Sequence, residues 1–245
     1  MKAMILAAGL GTRLRPLTDN IPKALVELNG RTLLEITIER LKSFGVTEFI
    51  VNVHHHPEKI VNFLQSKQNF GVRIEISRED DLLLDTGGGL KKASWFFLEG
   101  SSEEPFLVHN VDVVSTIDLN KMLNAHEEKQ SLATLAVQHR PSSRQLLFDQ
   151  NNLLIGRRIN DTETLVSGAP LATRHSPLPL AFSGIHIISP HLLPLIIESG
   201  AFSIIDSYLR LAAFRERISA FRADHYYWRD LGRLEDLEQA AKDIE

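Results

Sequence analysis

Two glycines and two arginines stand close together just after the first apolar run of the chain, in the stretch AAGLGTRLR over residues 7–15. Glycine has no Cβ, so the backbone N–H groups of such a loop can converge on an anion, and guanidinium groups add charged donors. The stretch therefore predicts a loop that binds a polyphosphate. Two familiar phosphate-loop patterns are incomplete, because Leu14 replaces the third glycine of G-x-G-x-x-G and no G-K-S/T follows. A plain strand-to-turn connection with surface arginines is the alternative.

A lysine follows this loop at a position where a buried segment should begin. Pro22 holds the chain extended and places Lys23 directly before the apolar residues ALV. A lysine at the start of a buried segment is unfavourable unless its ammonium group faces an anion. We therefore expect Lys23 to point at an anionic group.

Two aspartates that are distant in sequence could hold a metal ion. Asp112 ends the apolar run PFLVHNVD, and Asp230 lies between an aromatic segment and a helical pattern. Ligands of open α/β sheets bind at the carboxyl ends of strands, and Mg²⁺ prefers one or two carboxylates together with phosphate oxygens and water. Asp112 could instead be a turn or cap residue, and Asp230 could cap the last helix. The residues alone leave both interpretations open.

The segment over residues 6–25, LAAGLGTRLRPLTDNIPKAL, resembles the signature LAAGxGTRLxPLTxxxPKxL of the sugar-1-phosphate nucleotidyltransferase family nearly position for position. The resemblance implies that the loop and Arg15 hold the triphosphate of an NTP, and that Lys23 contacts phosphate near the reacting centre. Arg13 and Lys23 are the implied catalytic residues. The implied nucleotide-binding residues of this segment are Ala8, Gly9, Gly11, Thr12, Arg13, Arg15 and Lys23.

The same family usually has a G-D at the end of its central strand and a W-x-D-x-G farther along, and these two aspartates together bind Mg²⁺. Asp112 and Asp230 match those positions, so the resemblance implies that they are the metal ligands. Val111 replaces the usual glycine, and Arg233 replaces a small hydroxyl residue. Because valine disfavours positive φ, the turn before Asp112 either differs from that of the family or never needed glycine.

Three consecutive glycines open a predicted helix in the stretch DTGGGLKK over residues 85–92. Each glycine costs roughly 0.5–1 kcal/mol relative to alanine inside regular structure, so we expect a close approach to this backbone, such as a nucleobase or ribose. A plain helix start with Thr86 as its cap is the alternative. The family binds its base at a T-G-G element, which implies that Gly87 and Gly88 contact the nucleotide.

A sugar-1-phosphate nucleotidyltransferase also binds a phosphorylated acceptor, which should lie beside the nucleotide in the same cleft. Gly184 lies inside an apolar strand pattern, which indicates either a β-bulge or close approach by a ligand. The family has a comparable S-G or T-G element facing the sugar. Asn110 and Gln138 lie near predicted strand ends. We expect Asn110, Gln138 and Gly184 to contact the acceptor.

An alternation of strands and helices must position these residues. Apolar spacing predicts strands over 2–6, 48–53, 72–76, 105–108 and 133–137, and helices over 33–44, 58–65, 90–97 and 119–128. A strand over 180–188, a helix over 204–214, a strand over 218–222 and a closing helix from 234 follow. This alternation predicts a Rossmann-like α/β fold with a mixed, mostly parallel sheet and helices on both faces.

The polar stretch over residues 145–180 interrupts that alternation and predicts inserted hairpins and loops on the acceptor side. We expect a single nucleotidyltransferase domain over residues 1–245, and the resemblance implies the nucleotide-diphospho-sugar transferase type of fold.

Composition excludes several other classes of protein. A formal charge of −4 argues against a surface that grips nucleic acid or anionic lipid. No apolar run is long enough to span a membrane, and the first residues lack a secretory pattern, so we expect a cytoplasmic protein without a membrane partner. The absence of cysteine excludes disulfides and thiolate chemistry.

The resemblance implies transfer of an NMP group from an NTP to a sugar 1-phosphate, with release of pyrophosphate and with Mg²⁺ as cofactor. The compact length, the TGGG element and the W-x-D-x-G element are most similar to family members that transfer uridylyl groups to N-acetylmuramate 1-phosphate in bacterial cell-wall recycling. UTP is therefore the expected nucleotide. Mannose-1-phosphate guanylyltransferase, which uses GTP, is the alternative activity, and a non-catalytic nucleotide-sensing domain of the same fold is another. We expect a monomer or a homodimer.

Overall fold

A ten-stranded mixed sheet forms the centre of the structure, a computed structural model that describes residues 1–101, 103–167 and 177–243. The strands are β1 (Lys2–Leu6), β2 (Glu27–Leu28), β3 (Arg31–Thr32), β4 (Glu48–Val53), β5 (Arg73–Arg78), β6 (Phe106–Asn110), β7 (Val113–Ser115), β8 (Ala133–Gln138), β9 (Arg144–Phe148), β10 (Leu154–Ile159), β11 (Thr162–Leu165), β12 (Leu178–Ile188), β13 (Ile218–Arg222) and β14 (Trp228–Asp230). The helices are α1 (Leu33–Ser43), α2 (Pro57–Ser66), α3 (Asp85–Lys92), α4 (Ser94–Leu98), α5 (Leu119–Glu128), α6 (Ile204–Ala213) and α7 (Leu234–Asp243).

The sheet has the order β11-β10-β9-β12-β6-β1-β4-β5, and β8 pairs with both β12 and β13. Strand β1 runs parallel to β4 and β6, β4 parallel to β5, and β8 parallel to β13. Strand β12 is antiparallel to its neighbours. The predicted fold class, a mixed and mostly parallel central sheet with helices, is confirmed.

The stretch over 145–180 contains hairpins, as predicted from its polar composition. Strands β9, β10 and β11 form an antiparallel meander that joins the main sheet through the first residues of β12. Residues 168–176, which belong to the same stretch, lie outside the described residues. The organisation of residues 1–245 as one domain stays a prediction.

Both faces of the central strands are buried, which explains their nearly continuous apolar sequences. Along β1, Ala3 and Ile5 point into one hydrophobic cluster and Met4 into the other, as the two-residue period of a strand requires. The first cluster includes Ile38 of α1, and the second includes Tyr208 of α6. Helices therefore cover the sheet on both sides.

Two elements differ from the prediction. The helix predicted over 90–97 is divided into α3 and α4, and α3 begins at Asp85, so the three glycines lie inside it. The short strands β7 and β14 form a separate two-stranded sheet that the apolar pattern did not reveal. Among the described residues, no helix combines the length and the hydrophobicity needed to cross a bilayer.

The carboxyl ends of the parallel strands gather polar residues at one edge of the sheet. Leu6, at the end of β1, is in register with Asn52 of β4 on one side and with Asn110 of β6 on the other. The loops that follow these strand ends build the site described next.

Candidate active site

The glycine loop leaves β1 and turns sharply at Gly11, where the short 3-10 helix Thr12–Leu14 begins. Gly11 has a φ of +65°, and a Cβ at this position would lie 2.9 Å from Cγ2 of Thr18. The Thr18 hydroxyl donates to the Gly11 carbonyl at 2.8 Å. Both the backbone conformation and the close packing therefore require glycine here.

Lys23 passes beneath this loop and contacts the first aspartate. Its residue is only 8% exposed, its Cβ lies 3.2 Å from the position a Gly11 Cβ would take, and its Nζ hydrogen-bonds to Oδ2 of Asp112. The predicted anionic partner of the buried lysine is, in this structure, a carboxylate of the protein itself.

The small β7–β14 sheet brings the two aspartates together. Asp230 ends β14 opposite Val113, and the Leu231 N–H donates to the Asp112 carbonyl at 2.7 Å. One carboxyl oxygen of Asp230 accepts from the Gly232 N–H at 2.7 Å and lies 3.9 Å from Nη2 of Arg13. The aspartates thus lie on adjacent backbones beside the glycine loop.

Electrostatics at this pair suit a cation. Burial raises the pKa of Asp230 above its ordinary value, and the neighbouring charge of Asp112 raises it further, while Lys23 opposes the shift. No group of three or more histidine, aspartate or glutamate side chains forms a metal cluster among the described residues. Two carboxylates are nevertheless a suitable donor set for a hard divalent cation that also takes phosphate oxygens and water.

Two cavities meet at this point. The first, of about 400 Å³, is lined by Ala8, Gly9, Gly11, Thr12, Lys23 and Asp112 among others. The second, of about 750 Å³, is lined by Gly184, Trp228 and Asp230 among others. Arg13 and Asn110 line both cavities, so they stand at the junction. Both volumes are in the range of small-molecule sites.

Leu83, Asp85 and Thr86 also line the first cavity. Gly87 and Gly88 are not among its lining residues, and their contact with a nucleotide stays a prediction. A Cβ on Gly87 would lie 2.2 Å from the Phe202 ring, and one on Gly88 would lie 2.4 Å from the Gly200 carbonyl. Close packing of α3 on the segment before α6 explains both glycines.

Gly184 lies on the wall of the second cavity, at a β-bulge between Phe182 and His186. Its φ is +71°, and a Cβ there would approach Nδ2 of Asn110 to 2.8 Å. Both anticipated reasons for a glycine, a bulge and a close approach, therefore apply, although the close neighbour is a side chain of the protein.

Two other predicted residues lie away from the cavities. Gln138 lines neither, because its amide donates to the carbonyls of Ala223 and Tyr226 at 2.8 and 3.0 Å and so ties β8 to the segment before β14. Arg15 also lines neither, and its guanidinium pairs with Asp19 at 3.3 Å. Their expected contacts with acceptor and triphosphate stay predictions, although the hydrogen-bonding groups of both side chains already have partners in the protein.

Val111 occupies the turn without strain. Its side chain is buried in the first hydrophobic cluster, and it is not among the described residues with positive φ. Its N–H donates to the Leu6 carbonyl at 3.1 Å, which continues the β1–β6 pairing. The turn before Asp112 therefore does not need the glycine that is usual in the resembling family.

Five arginines line the second cavity, and of these the sequence analysis had singled out Arg13 alone as a site residue; the others are Arg140, Arg144, Arg229 and Arg233. Arg140 stacks on the Trp228 ring, while the guanidinium groups of Arg144 and Arg233 make no hydrogen bond or ion pair with other described residues. The polar stretch that starts near Arg140 was the available signal. The sequence did not show that the arginines of this region lie in the same cavity as Asp230, because that proximity depends on the fold.

Comparison with known proteins supports the assignment of the fold and shows the family. A family model described as nucleotidyl transferase matches residues 2–146. The chain belongs to the nucleotidyl transferase family. A relative from Caulobacter vibrioides, named N-acetylmuramate alpha-1-phosphate uridylyltransferase, is 32% identical over 86% of this chain and 84% of its own length. The resemblance to sugar-1-phosphate nucleotidyltransferases is thereby confirmed.

Another member of the nucleotidyl transferase family, the Synechocystis protein named UTP–glucose-1-phosphate uridylyltransferase, is 29% identical over the whole chain. The chain spans 63% of the length of that relative and 38% of plant proteins named as mannose-1-phosphate guanylyltransferases. A solved structure of a putative glucose-1-phosphate thymidylyltransferase from Bacillus anthracis has a TM-score of 0.79 at 21% identity, covering 100% of this chain and 96% of that one. It shares the fold.

Proposed function

We propose that the protein transfers a nucleotidyl group from an NTP to a sugar 1-phosphate. The observation that carries this proposal is the junction of the two cavities, where Asp112 and Asp230 lie beside Arg13 and Asn110. An NTP in the first cavity and a phosphorylated acceptor in the second would meet at that point. The family membership of the chain supports the same chemistry.

The reaction needs little covalent work from the protein. A phosphate oxygen of the acceptor attacks the α-phosphorus of the NTP, a new P–O bond forms, and the bond to the β-phosphate breaks to release pyrophosphate. No general base is required, because a phosphate monoester is largely dianionic at pH 7. Catalysis is therefore positioning together with neutralisation of charge.

The glycine loop and two cations provide that neutralisation. Gly9 and Gly11 line the first cavity together with Lys23, which packs against Gly11, and Arg13 lines both cavities. We assign the triphosphate to this group of residues. Lys23 has Asp112 as its partner in the structure, so it is already held within reach of the reacting phosphates.

Mg²⁺ is the proposed cofactor, with Asp112 and Asp230 as the residues that would hold it. When bound, the ion would neutralise charge on the transferring phosphates. The raised pKa of Asp230 supports this site, because two neighbouring carboxylates that repel one another gain from a shared cation.

For the acceptor we propose N-acetylmuramate 1-phosphate, with UTP as the favoured nucleotide and GTP next. The lactyl ether of this sugar carries a carboxylate in addition to the phosphate. Arg144 and Arg233 line the second cavity, which we call the acceptor cavity, and their guanidinium groups have no ion-pair partner among residues 1–101, 103–167 and 177–243. Guanidinium binds carboxylate well. The name of the Caulobacter relative agrees with this choice.

Mannose-1-phosphate guanylyltransferase activity is the second candidate, since several relatives bear that name. Mannose 1-phosphate has no carboxylate and would offer no such group to Arg144 and Arg233. A non-catalytic nucleotide-sensing domain is the remaining alternative. The cytoplasmic location, the role in cell-wall recycling and the monomeric or homodimeric state stay predictions.

The test is pyrophosphate release with each of the common NTPs against a panel of sugar 1-phosphates, with and without Mg²⁺. The panel should pair N-acetylmuramate 1-phosphate with N-acetylglucosamine 1-phosphate, which lacks only the lactyl group, and should include mannose and glucose 1-phosphates. We expect the fastest release with UTP and N-acetylmuramate 1-phosphate. No release with any pair would favour the nucleotide-sensing domain, and preference for GTP with mannose 1-phosphate would favour the second candidate.

A further inference from the structure

A buried glutamate beyond β5 connects two separate segments of the chain. Glu79 is 1% exposed. One of its carboxyl oxygens accepts from Nδ2 of Asn52 at 2.7 Å, and the other accepts from the Leu84 N–H at 2.8 Å. Both oxygens are therefore satisfied by donors from different elements, which is the arrangement a buried carboxyl group requires.

Asn52 extends this connection to the glycine loop. It is 2% exposed at the carboxyl end of β4, and its Oδ1 accepts from the Ala7 N–H at 2.7 Å. Ala7 is the first residue after β1, where the loop that carries Gly9 and Gly11 begins. A continuous path of three hydrogen bonds thus runs from Ala7 through Asn52 and Glu79 to Leu84.

Both ends of this path belong to the wall of the first cavity. Ala7 and the loop that follows it line the cavity, and so do Leu83 and Asp85, the two neighbours of Leu84 in the chain. Asn52 lines the cavity as well. The pair therefore holds two separate parts of the cavity wall relative to one another, and the proposed nucleotide would contact both.

The backbone around Glu79 is itself firmly held. Its N–H donates to the Val53 carbonyl at 2.8 Å, and its carbonyl lies 2.5 Å from Nδ1 of His54. Helix α3 packs directly on the pair, since a Cβ on Gly89 would lie 2.8 Å from Oε1 of Glu79 and 2.9 Å from Nδ2 of Asn52. The third glycine of the TGGG element is explained by this contact.

We propose that Asn52 and Glu79 are positioning residues for nucleotide binding, acting through the backbone of Ala7 and Leu84. The proposal rests on the proposed function only for the identity of the ligand as an NTP. Loss of either bond would let these two parts of the cavity wall move apart and weaken binding of the nucleotide. The acceptor cavity, which neither residue lines, would be unaffected.

The pair can be tested by exchanging the amide of Asn52 and the carboxylate of Glu79 between the two positions. Glu79→Gln leaves one acceptor and turns the other group into a donor, which faces the donor of Asn52. Asn52→Asp places two acceptors face to face. The double variant N52D/E79Q restores a donor opposite an acceptor, while both bonds to the backbone N–H groups of Ala7 and Leu84 remain possible.

Binding is measured by calorimetry as the Kd of the preferred NTP, and turnover as separate KM values for NTP and acceptor. We expect each single variant to raise the Kd and KM of the NTP at least ten-fold, with acceptor KM changed less than two-fold. The double variant should return both nucleotide values to within about three-fold of the wild type, since opposite partners are again paired. Thr134→Val, which removes a buried hydrogen bond to His126 away from both cavities, should lower the Tm but leave the Kd unchanged.

A double variant no better than the single ones, or an equal rise in the KM of both substrates, would overturn the proposal. So would wild-type binding by Glu79→Gln. If a single variant does not fold, the comparison of the double variant with the wild type still decides. A wild-type protein that binds an NTP but releases no pyrophosphate would refute the proposed function alone, because the Kd values still test the positioning role. Absence of NTP binding to the wild type would overturn both.

Discussion

The guanidinium of Arg140 lies 3.8 Å from the centre of the Trp228 ring. Nη2 of this arginine donates to the Phe182 carbonyl at 2.8 Å, and the indole N–H of Trp228 donates to the Ser183 carbonyl at 2.7 Å. Both partners are therefore anchored on β12. The stack places a fixed positive charge on the wall of the acceptor cavity, close to Asp230.

We predict that Arg140→Lys will raise the KM of the acceptor about ten-fold or more, with the NTP KM changed less than two-fold. Lysine keeps the charge but loses the planar stack, and a hydrogen bond to a charged group contributes roughly 1.5–3 kcal/mol. Steady-state kinetics with each substrate varied in turn measures the effect. Arg217→Lys is the matched control, because that guanidinium also donates to a backbone carbonyl at 2.8 Å but lines neither cavity. An unchanged acceptor KM in Arg140→Lys would remove this residue from the acceptor site.

Substitutions of the two aspartates should affect the thermal stability of the protein differently, although both aspartates are needed for turnover. Asp112→Asn and Asp230→Asn are each expected to reduce turnover by about a thousand-fold or more, since metal binding would be lost. In metal-free protein, Asp112→Asn should lower the Tm by several degrees, because buried Lys23 loses its charged partner. Asp230→Asn should leave the Tm unchanged or raise it, because burial and the charge of Asp112 already raise the pKa of Asp230.

Differential scanning calorimetry in the presence of a chelator measures these Tm values, and pyrophosphate release with saturating Mg²⁺ measures turnover. Retention of wild-type turnover by either variant would exclude that residue from the metal site. A lower Tm for Asp230→Asn than for Asp112→Asn would contradict the electrostatic account of the pair.

Selectivity for a carboxylate-bearing acceptor should depend on Arg144 and Arg233, which line the acceptor cavity. Arg144→Gln and Arg233→Gln are expected to raise the KM of N-acetylmuramate 1-phosphate by about ten-fold, which corresponds to roughly 1.4 kcal/mol. The KM of N-acetylglucosamine 1-phosphate should stay within two-fold, because this sugar lacks the lactyl carboxylate. Arg157→Gln, which breaks an exposed pair with Asp206 outside the acceptor cavity, is the control. Equal effects on both sugars would indicate that these arginines bind phosphate instead.

An ion pair away from the site gives a prediction about acid stability. Arg210 forms a two-point contact with Glu198 at 2.7 and 3.1 Å, and hydrogen bonding from Arg210 lowers the pKa of Glu198 to about 2. A lowered pKa in the folded state means that the pair stabilises the protein above the ordinary pKa of 4.5 and ceases to do so as the pH falls towards 2. Glu198→Gln should therefore lower the free energy of unfolding at pH 7 by on the order of 2 kcal/mol.

Urea unfolding at a series of pH values tests this expectation, and the difference between wild type and Glu198→Gln should shrink steadily below pH 4. Glu58→Gln, which breaks an exposed pair with Arg78, is the comparison and should change stability little at any pH. A constant difference across the series would show that the carboxylate charge of Glu198 is not what stabilises the fold.

Much of the framework was predictable because its determinants are local. The strands β1 and β4 are buried on both faces, so their sequences are continuous apolar runs, and α1 has the helical spacing of Leu34, Ile38 and Leu41. The glycine loop was equally predictable from the sequence. Gly11 has a positive φ and packs closely against Thr18 and Lys23, which lie only a few residues farther along the chain.

Other features depend on contacts between distant segments and had no local signature. Gln138 ends a strand like a ligand-binding residue, yet carbonyls of Ala223 and Tyr226 occupy its amide. The TGGG element indicated a close approach correctly, but Phe202 supplies the approaching group at Gly87. Asn52 was missed because a single polar residue in an apolar strand does not reveal its partner, and Glu79 because the polar segment after β5 carries no motif that marks it.

The β7–β14 pairing has a consequence for how the protein acquires activity. Because the carboxylates of Asp112 and Asp230 come from segments widely separated along the chain, no partly folded fragment can assemble them by local contacts. We expect nucleotide affinity to develop as soon as the first parallel strands have associated, whereas turnover requires that β14 has also docked. Recovery of catalysis during refolding should therefore lag behind recovery of nucleotide binding. The interval between the two would measure how long the pairing of β14 with β7 takes after the nucleotide site has formed.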